Sequence, residues 1–408
     1  MLRLSKSVFR RAQIKREPED FVVNEITKDG VVLGGGTETE CEKLSAKGDK
    51  DGKFSIFVMQ KRDWNTAQAL KAIARKLNRG MKSVGFAGTK DRRAVTTQLC
   101  SVYGVGPEQI MGISIKDIKI SCACRSSLPV RLGDLEGNSF GVKVMGLSAS
   151  SIDLAYEYTV FPNYFGDQRF GMRKNNTDIG IRILKGDMEG AALAFLTDVQ
   201  NELDAESVEA RKRLKGEMDF GAALSYFPRH LKYERSMIDY LSKYDGNYAN
   251  ALRKLPRQLL MMFVHSVEDQ IFNSVVENKV RDGDGQVEPM HGELVCLQDN
   301  YGFPDYKRIV RYEGKRAFQI ANLIGYDTKE ISEHEMEEME KIGIQLDDFK
   351  VKHIPEINCR GSYRTIFSPF KDLGWNDAER KISFSLPAGS YATVFLNELF
   401  DLRGGTAD

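Results

Sequence analysis

The chain has 408 residues, of which 41% are hydrophobic and 29% are charged, and its formal net charge is +1. This is an ordinary globular composition, and the length predicts two or three domains. The near-zero net charge excludes a strong overall field for a polyanion. No stretch approaches 18 consecutive apolar residues, so the sequence predicts no membrane-spanning helix.

Charge is nevertheless distributed unevenly along the chain. Residues 1–16 contain six cations and no acid, and residues 71–93 carry eight Lys or Arg against one acid. Acidic side chains concentrate in residues 330–348, which hold eight Asp or Glu. This asymmetry is typical of a basic working face opposite an acidic solvated one, although ordinary scatter of surface charge predicts the same pattern.

Six cysteines and five histidines are spread through the chain without the spacing of a metal site. There is no C-x-x-C or H-x-x-x-H, and Cys122 and Cys124 are too close together to form half of a usual zinc site. We therefore expect no metal, and reduced thiols in a cytoplasmic protein. The N-terminus is basic but has no apolar segment, so no secretory signal is predicted.

The first hundred residues are predicted to form four strands and one helix. The strands cover residues 21–26, 54–59, 83–87 and 95–99. The helix covers about 66–79, begins at a cap formed by Asn65 or Thr66, and has one apolar and one basic face.

The segment GTKDRR (88–93) lies between the third and fourth of these strands. In a cleft, its three cations would favour the charged form of Asp91 and would also attract a polyanion. Asp91 stands where a phosphate-binding loop needs a hydroxyl, so no nucleotide site is predicted here. The segment is therefore either a solvated loop whose cations neutralise one acid or a catalytic loop held between rigid strands.

A second segment, VFPNYFGDQRFG (160–171), combines aromatic rings, an amide and a cation. These residue types suit base stacking with a phosphate contact, but they also suit a core turn with buried rings. The sequence before it predicts strands over 127–145 and a short helix over 151–160.

Helical patterns dominate residues 186–276, and a glycine-rich stretch over 280–312 predicts loops and short strands. The run RKRLK (211–215) would either contact phosphates or form the solvated face of a helix. An acidic helix is predicted over 328–342. The chain then returns to strand and turn at 382–393 and ends with a helix over 394–399.

Four segments, in this order, resemble the TruD family of tRNA pseudouridine synthases. They are PEDFVV (18–23), FAGTKDRRAVTTQ (86–98), PNYFGDQRFG (162–171) and LPAGSYAT (386–393). Each alone could occur by chance, but together they span nearly the whole chain. The resemblance implies an α+β fold in which a pseudouridine synthase core with a mixed β-sheet, residues 1–184 and 356–408, is interrupted by an inserted α/β TRUD domain, residues 185–355. It also implies that the two ends of the chain meet in one catalytic domain.

The resemblance further implies that the enzyme isomerises uridine to pseudouridine, most commonly at position 13 of tRNA. Family members use no nucleotide, redox cofactor or catalytic metal, and we expect a monomer with tRNA as its partner. Asp91 matches the catalytic aspartate, and it could act as a nucleophile or as a base. The implied substrate-binding residues are Lys15 and Lys90 beside it, Asn163 for hydrogen bonding, Phe165 for stacking on the base and Phe384 for closing the pocket.

Two other functions remain open from the residues themselves. The chain could be an RNA-binding or RNA-folding protein that keeps the cleft without turnover, although a pure binder gains nothing from a carboxylate that faces phosphates. It could also be a carboxylate-dependent hydrolase, which would need a second essential acid in the cleft.

Overall fold

The structure is a computed structural model, and it describes residues 1–4, 11–46, 48–146, 158–282 and 287–402. Most of the short helix predicted over 151–160 therefore lies outside the described residues. Within the described ranges, no helix is long and apolar enough to cross a membrane.

The described residues contain the following strands and α-helices, numbered in chain order. The strands are β1 Phe21–Thr27, β2 Phe54–Arg62, β3 Val84–Phe86, β4 Val95–Tyr103, β5 Ile118–Ser126, β6 Leu135–Lys143, β7 Val160–Pro162, β8 Leu294–Gln298, β9 Pro304–Arg311, β10 Ala317–Leu323, β11 Ser362–Thr365, β12 Phe367–Pro369, β13 Lys371–Asn376 and β14 Lys381–Pro387. The helices are α1 Glu38–Ser45, α2 Thr66–Lys76, α3 Pro107–Met111, α4 Asn176–Leu184, α5 Met188–Thr197, α6 Ala205–Glu217, α7 Phe220–Tyr226, α8 Lys232–Leu241, α9 Tyr248–Leu252, α10 Arg257–Asp282, α11 Glu333–Ile342 and α12 Ala392–Leu399.

An eight-stranded mixed sheet forms the centre of the fold. Its order is β13-β14-β6-β1-β4-β2-β5, with β3 paired to β4. Strands β1 and β4 are parallel, and the neighbouring pairs are antiparallel. Because β14 pairs with β6 and places Phe384 opposite Phe140, the two ends of the chain share one sheet. The predicted α+β class and mixed sheet are confirmed.

Helices dominate the region between α4 and α11, where they enclose an apolar core of their own. The longest is α10, with 26 residues. Its N-terminal part contributes Phe263 and Val267 to the helical core, whereas its C-terminal part contributes Phe272 and Val276 to the core under the sheet. One helix therefore joins the two cores. The division of domains at 185 and 355 remains a prediction.

Helix α2 shows how local sequence sets an element next to the site. The side chain of Asn65 accepts hydrogen bonds from the main-chain N–H groups of Ala67 and Gln68, as an N-cap does. The helix ends at Lys76 rather than at the predicted 79, because Asn78 adopts a left-handed backbone with φ of 53°. The predicted cap is confirmed, and the predicted end was three residues too late.

Two cysteines are joined, which corrects the expectation of free thiols throughout. Cys41 of α1 and Cys122 of β5 form a disulfide with a Cα–Cα distance of 4.6 Å. Their sequence separation of 81 residues gave no sign of this pairing. The other four cysteines are free thiols: Cys100, Cys124, Cys296 and Cys359.

The basic run 211–215 lies on α6 and is split between the interior and the surface. Arg211 is buried; it donates to the carbonyl oxygens of Phe195 and Leu196 at 2.9 and 3.0 Å and to Glu234 at 2.7 Å. The idea that the whole run contacts phosphates is therefore wrong for Arg211, because its donors are already used inside the protein.

Candidate active site

A cavity of about 480 Å³ opens over the central sheet, against its interior strands β1 and β6. It is lined by segments that are far apart in the sequence. They are the β3–β4 loop (87–91), residues of β1 and β6, Lys15, Gln168, and the turn 388–393 that leads into α12. Each of the four segments on which the resemblance rests contributes at least one residue to this lining.

Asp91 stands at the mouth of the cavity and forms an ion pair with Lys15. The distance from Lys15 Nζ to Asp91 Oδ2 is 2.7 Å, and the Asp91 side chain is 44% exposed. The Lys15 ammonium also lies 4.0 Å from the centre of the Phe21 ring, where a cation–π contact holds it. The carboxylate is thus both reachable from solvent and held by a neighbouring positive charge.

Side chains from three other elements hold the main chain of the Asp91 loop. Lys61 of β2 donates from Nζ to the carbonyl oxygen of Asp91 at 2.8 Å. The hydroxyl of Thr66, at the start of α2, accepts the N–H of Lys90 at 3.0 Å, and Gln98 of β4 donates to the carbonyl of Gly88 at 3.1 Å. These contacts hold the main chain of the loop in place, while the side chains of Asp91, Arg92 and Arg93 are exposed.

Lys61 contacts the Asp91 loop, and the sequence analysis did not single it out. Its side chain is fully buried, and burial lowers its pKa to about 8, with the negative charge of Asp91 acting in the opposite direction. The sequence did contain a signal for Lys61. It lies in the largely apolar strand β2, and a lysine that is buried in such a strand needs a partner for its charge.

Lys90 does not contact the Asp91 carboxylate. Its Nζ lies 2.8 Å from Oε2 of Glu25 in β1, and both side chains are almost completely buried. Burial raises the pKa of Glu25, whereas the charge of Lys90 lowers it. The other carboxylate oxygen of Glu25 accepts the N–H of Leu99 at 3.0 Å. Lys90 therefore lines the cavity while its charge is balanced by Glu25.

Aromatic rings form the apolar wall of the cavity in two layers. Phe140 lines the cavity, and Phe384 stacks behind it with a centroid distance of 5.1 Å and an interplanar angle of 19°. Phe21 meets the edge of Phe140 at 6.1 Å. Phe384 is fully buried, so it supports the wall from behind.

Asn163 and Phe165 also lie behind the described lining, in the interior. Asn163 donates to the carbonyl oxygen of Thr365 at 3.0 Å and accepts from Arg364 at 2.7 Å. The Arg364 guanidinium lies 4.1 Å from the Phe165 ring centre, and Phe165 meets Tyr391 edge-on at 6.2 Å. Tyr391 is the aromatic that lines the cavity at this point, although the sequence analysis did not single it out.

Comparison with known proteins identifies the family. The family profile described as tRNA pseudouridine synthase D (TruD) matches residues 9–399. The chain belongs to the TruD family. It is therefore a pseudouridine synthase, an enzyme of the isomerase class, as the resemblance implied.

Individual TruD relatives align over most of their length. A protein of Methanopyrus kandleri, named probable tRNA pseudouridine synthase D, is 34% identical over 371 residues, which cover 88% of each chain. One of the same name from Thermoplasma volcanium is 32% identical over 96% of this chain and 95% of its own. A crystal structure assigned to tRNA pseudouridine synthase D (TruD) from Methanosarcina mazei has a TM-score of 0.75 at 29% identity, with coverage of 98% and 96%.

Proposed function

We propose that this TruD protein converts uridine to pseudouridine in tRNA, at position 13, with Asp91 as the catalytic carboxylate. The observation that carries the proposal is the Asp91 carboxylate, paired with Lys15 at the mouth of a cavity that residues from all four TruD-like segments line.

The proposed reaction is an isomerisation in which no atom is gained or lost by the nucleotide except an exchanged proton. The bond between C1′ and N1 of uridine breaks, the uracil turns, and a bond between C1′ and C5 forms. The hydrogen on C5 leaves as a proton, and N1 takes up a proton. Asp91 would either attack the sugar as a nucleophile or remove a sugar proton as a base. Both roles require an ionised carboxylate, and the ammonium of Lys15 lies 2.7 Å from it.

The target base must leave its stack to reach Asp91, which costs a few kcal/mol. Stacking on an aromatic ring returns about 1–3 kcal/mol. Phe21, Phe140 and Tyr391 line the cavity, and of these Phe140 and Tyr391 are the stacking rings that we propose. We propose that Phe384 and Phe165 support these two rings from behind. Asn163 would support the cavity lining indirectly. It accepts a hydrogen bond from Arg364, and Arg364 also donates to the carbonyl of Gly389, a lining residue, at 2.9 Å.

The phosphates of tRNA would lie along α2. The basic face predicted for this helix presents exposed Lys71, Arg75 and Lys76, and the helix begins at Thr66, which holds the Asp91 loop. Exposed cations on a helix that begins beside the Asp91 loop are an arrangement that would guide a polyanion toward the cavity.

We further propose the domain division of the sequence analysis, with the catalytic domain at 1–184 and 356–408 and the inserted domain at 185–355. The protein would act as a monomer in the cytoplasm, with no nucleotide, redox cofactor or metal in the reaction itself.

The first test measures tritium release from tRNA that carries 5-tritiated uridine. We expect release by the wild type and by Asp178→Asn, an exposed acid on α4 that serves as a matched control, and none by Asp91→Asn. A tRNA in which only uridine 13 is replaced by cytidine lacks the proposed target. Total tritium release from this tRNA should therefore fall by one equivalent per molecule.

The same assay separates the alternative of an RNA-binding protein without turnover. That function predicts tight tRNA binding and no release by any variant, including the wild type. Release by Asp91→Asn at the wild-type rate would keep the reaction and remove Asp91 from its role.

A further inference from the structure

A compact polar cluster lies in the interior, away from the Asp91 loop. It consists of His265 and Glu268 on α10 and of Cys359, which follows the short 3-10 helix Pro355–Ile357. One ligand atom from each residue, the imidazole nitrogen, a carboxylate oxygen and the thiol sulfur, lies within 4.8 Å of the other two.

The fold holds these three side chains together by regular geometry. His265 and Glu268 are three residues apart, so they project from the same face of α10. Cys359 is positioned by its main chain, which donates to the carbonyl of Phe349 at 3.0 Å and accepts from the N–H of Tyr326 at 2.9 Å. The arrangement therefore exists without any rearrangement of the backbone.

Glu268 carries a second, independent sign of a ligand. Glu268 is only 5% exposed, and its Oε1 atom has no hydrogen-bond partner among the described residues. The adjacent Asp269 has a cation of its own, because Arg169 lies 3.0 Å away. Burying an ionised carboxylate oxygen without a partner is costly, and a cation bound at this oxygen would remove that cost.

We propose that His265, Glu268 and Cys359 bind a divalent cation of the zinc class. Zinc is bound by nitrogen, sulfur and carboxylate oxygen in tetrahedral sites, whereas magnesium and calcium prefer oxygen alone. One thiolate and one carboxylate would neutralise the two positive charges of the ion. Three protein ligands leave one position for water.

Bound there, the ion would stabilise the back of the cavity wall. It would tie α10 to residues 355–361, which lead directly into β11. Strand β11 carries Arg364, whose guanidinium donates to Asn163 and to the carbonyl of Gly389. The sequence analysis expected no metal because it found no C-x-x-C or H-x-x-x-H spacing. These three residues have no such spacing, since Cys359 is remote in sequence from the pair on α10.

The competing arrangement is a protonated acid beside a protonated thiol. Burial raises the pKa of Glu268 to about 8, and burial together with Glu268 raises the pKa of the Cys359 thiol. A neutral pair of this kind would need no cation, so the experiment must distinguish a metal complex from two bound protons.

The test uses full-length protein without an affinity tag, dialysed against EDTA and then titrated with Zn²⁺ and, separately, with Co²⁺. We expect one equivalent of either ion per chain and, with Co²⁺, the absorption band of a cobalt–thiolate bond. Cys359→Ser should lose the band, and Glu268→Gln should bind at least about tenfold more weakly. Cys124→Ser, which changes another half-buried free thiol, should bind as the wild type does.

The measurement on the wild type does not depend on whether any variant folds. Failure of the wild type to bind either ion, with no cobalt–thiolate band, would overturn the proposal and favour the protonated pair. Binding that survives unchanged in both Cys359→Ser and Glu268→Gln would overturn it as well, because the ion would then lie elsewhere.

Discussion

Two basic runs, residues 90–93 and residues 211–215, look alike in sequence but have different surroundings in the structure. In the first, hydrogen bonds to the main chain hold the loop, and the Asp91 carboxylate remains 44% exposed beside Lys15. In the second, the run lies on α6, and the helical period turns Arg211 inward to Glu234. Each run therefore sends one cation inward, Lys90 to Glu25 and Arg211 to Glu234, and only the positions whose side chains remain exposed can form a binding surface.

The largest expected effect concerns the first run. Replacing Asp91 with Asn removes the ionised carboxylate and should lower the rate of pseudouridine formation by about 10²- to 10⁴-fold or more, with little change in the free energy of unfolding. Single-turnover tritium release and urea unfolding measure the two quantities. A comparable loss in Asp178→Asn would mean that the effect is not specific to the cavity.

The second run should show the opposite behaviour. Arg211→Met leaves Glu234 buried without its cation, so we expect a loss of about 3–5 kcal/mol in the free energy of unfolding. Lys212→Met, one residue along but exposed, should change it by less than about 0.5 kcal/mol. Equal effects of the two substitutions, measured by urea unfolding, would contradict the structural role of Arg211.

The exposed cations of α2, the helix beside the first run, and those of α6 can be compared directly for contact with RNA. Changing Lys71, Arg75 and Lys76 to Ala should weaken tRNA binding and reduce the slope of log K against log salt by up to about 2.7. The matched triple change of Lys212, Arg213 and Lys215 should leave that slope nearly unchanged, because no residue of α6 lines the cavity, whereas α2 begins at Thr66, which holds the Asp91 loop. Filter binding at several salt concentrations measures both, and the reverse result would move the RNA surface to α6.

The smallest expected effect concerns the stability contribution of Lys61, which holds the Asp91 loop. Because burial lowers the pKa of Lys61 to about 8, the unfolded chain binds more protons than the folded one from about pH 8 to the ordinary lysine pKa of 10.5. The contribution of Lys61 to stability should therefore rise with pH across this window. The wild type should gain stability relative to Lys61→Met between pH 7.5 and 9.5.

An exposed control, Lys71→Met, should show no such pH-dependent difference from the wild type. A difference between the wild type and Lys61→Met that stays constant with pH would mean that Lys61 keeps its ordinary pKa in the folded protein. Urea unfolding at each pH is sufficient for all three proteins.

Much of the local structure could be predicted from the sequence. Apolar and β-branched residues indicated β1, β2 and β4, and the cap at Asn65 indicated the start of α2, because these signals depend only on neighbouring residues. The position of Asp91 between two strands followed from the same signals. The partners of the charged side chains did not, since Lys90 pairs with Glu25 across the sheet.

The sequence by itself determined the strand and helix types, the family and the loop that carries Asp91. Only the tertiary structure decided that Phe140 and Tyr391 line the cavity while Phe165 and Phe384 stand behind them. The Cys41–Cys122 disulfide was decided at the same level. The physical reason is that periodicity and capping act over a few residues, whereas these contacts depend on the register between strands that are far apart in the chain.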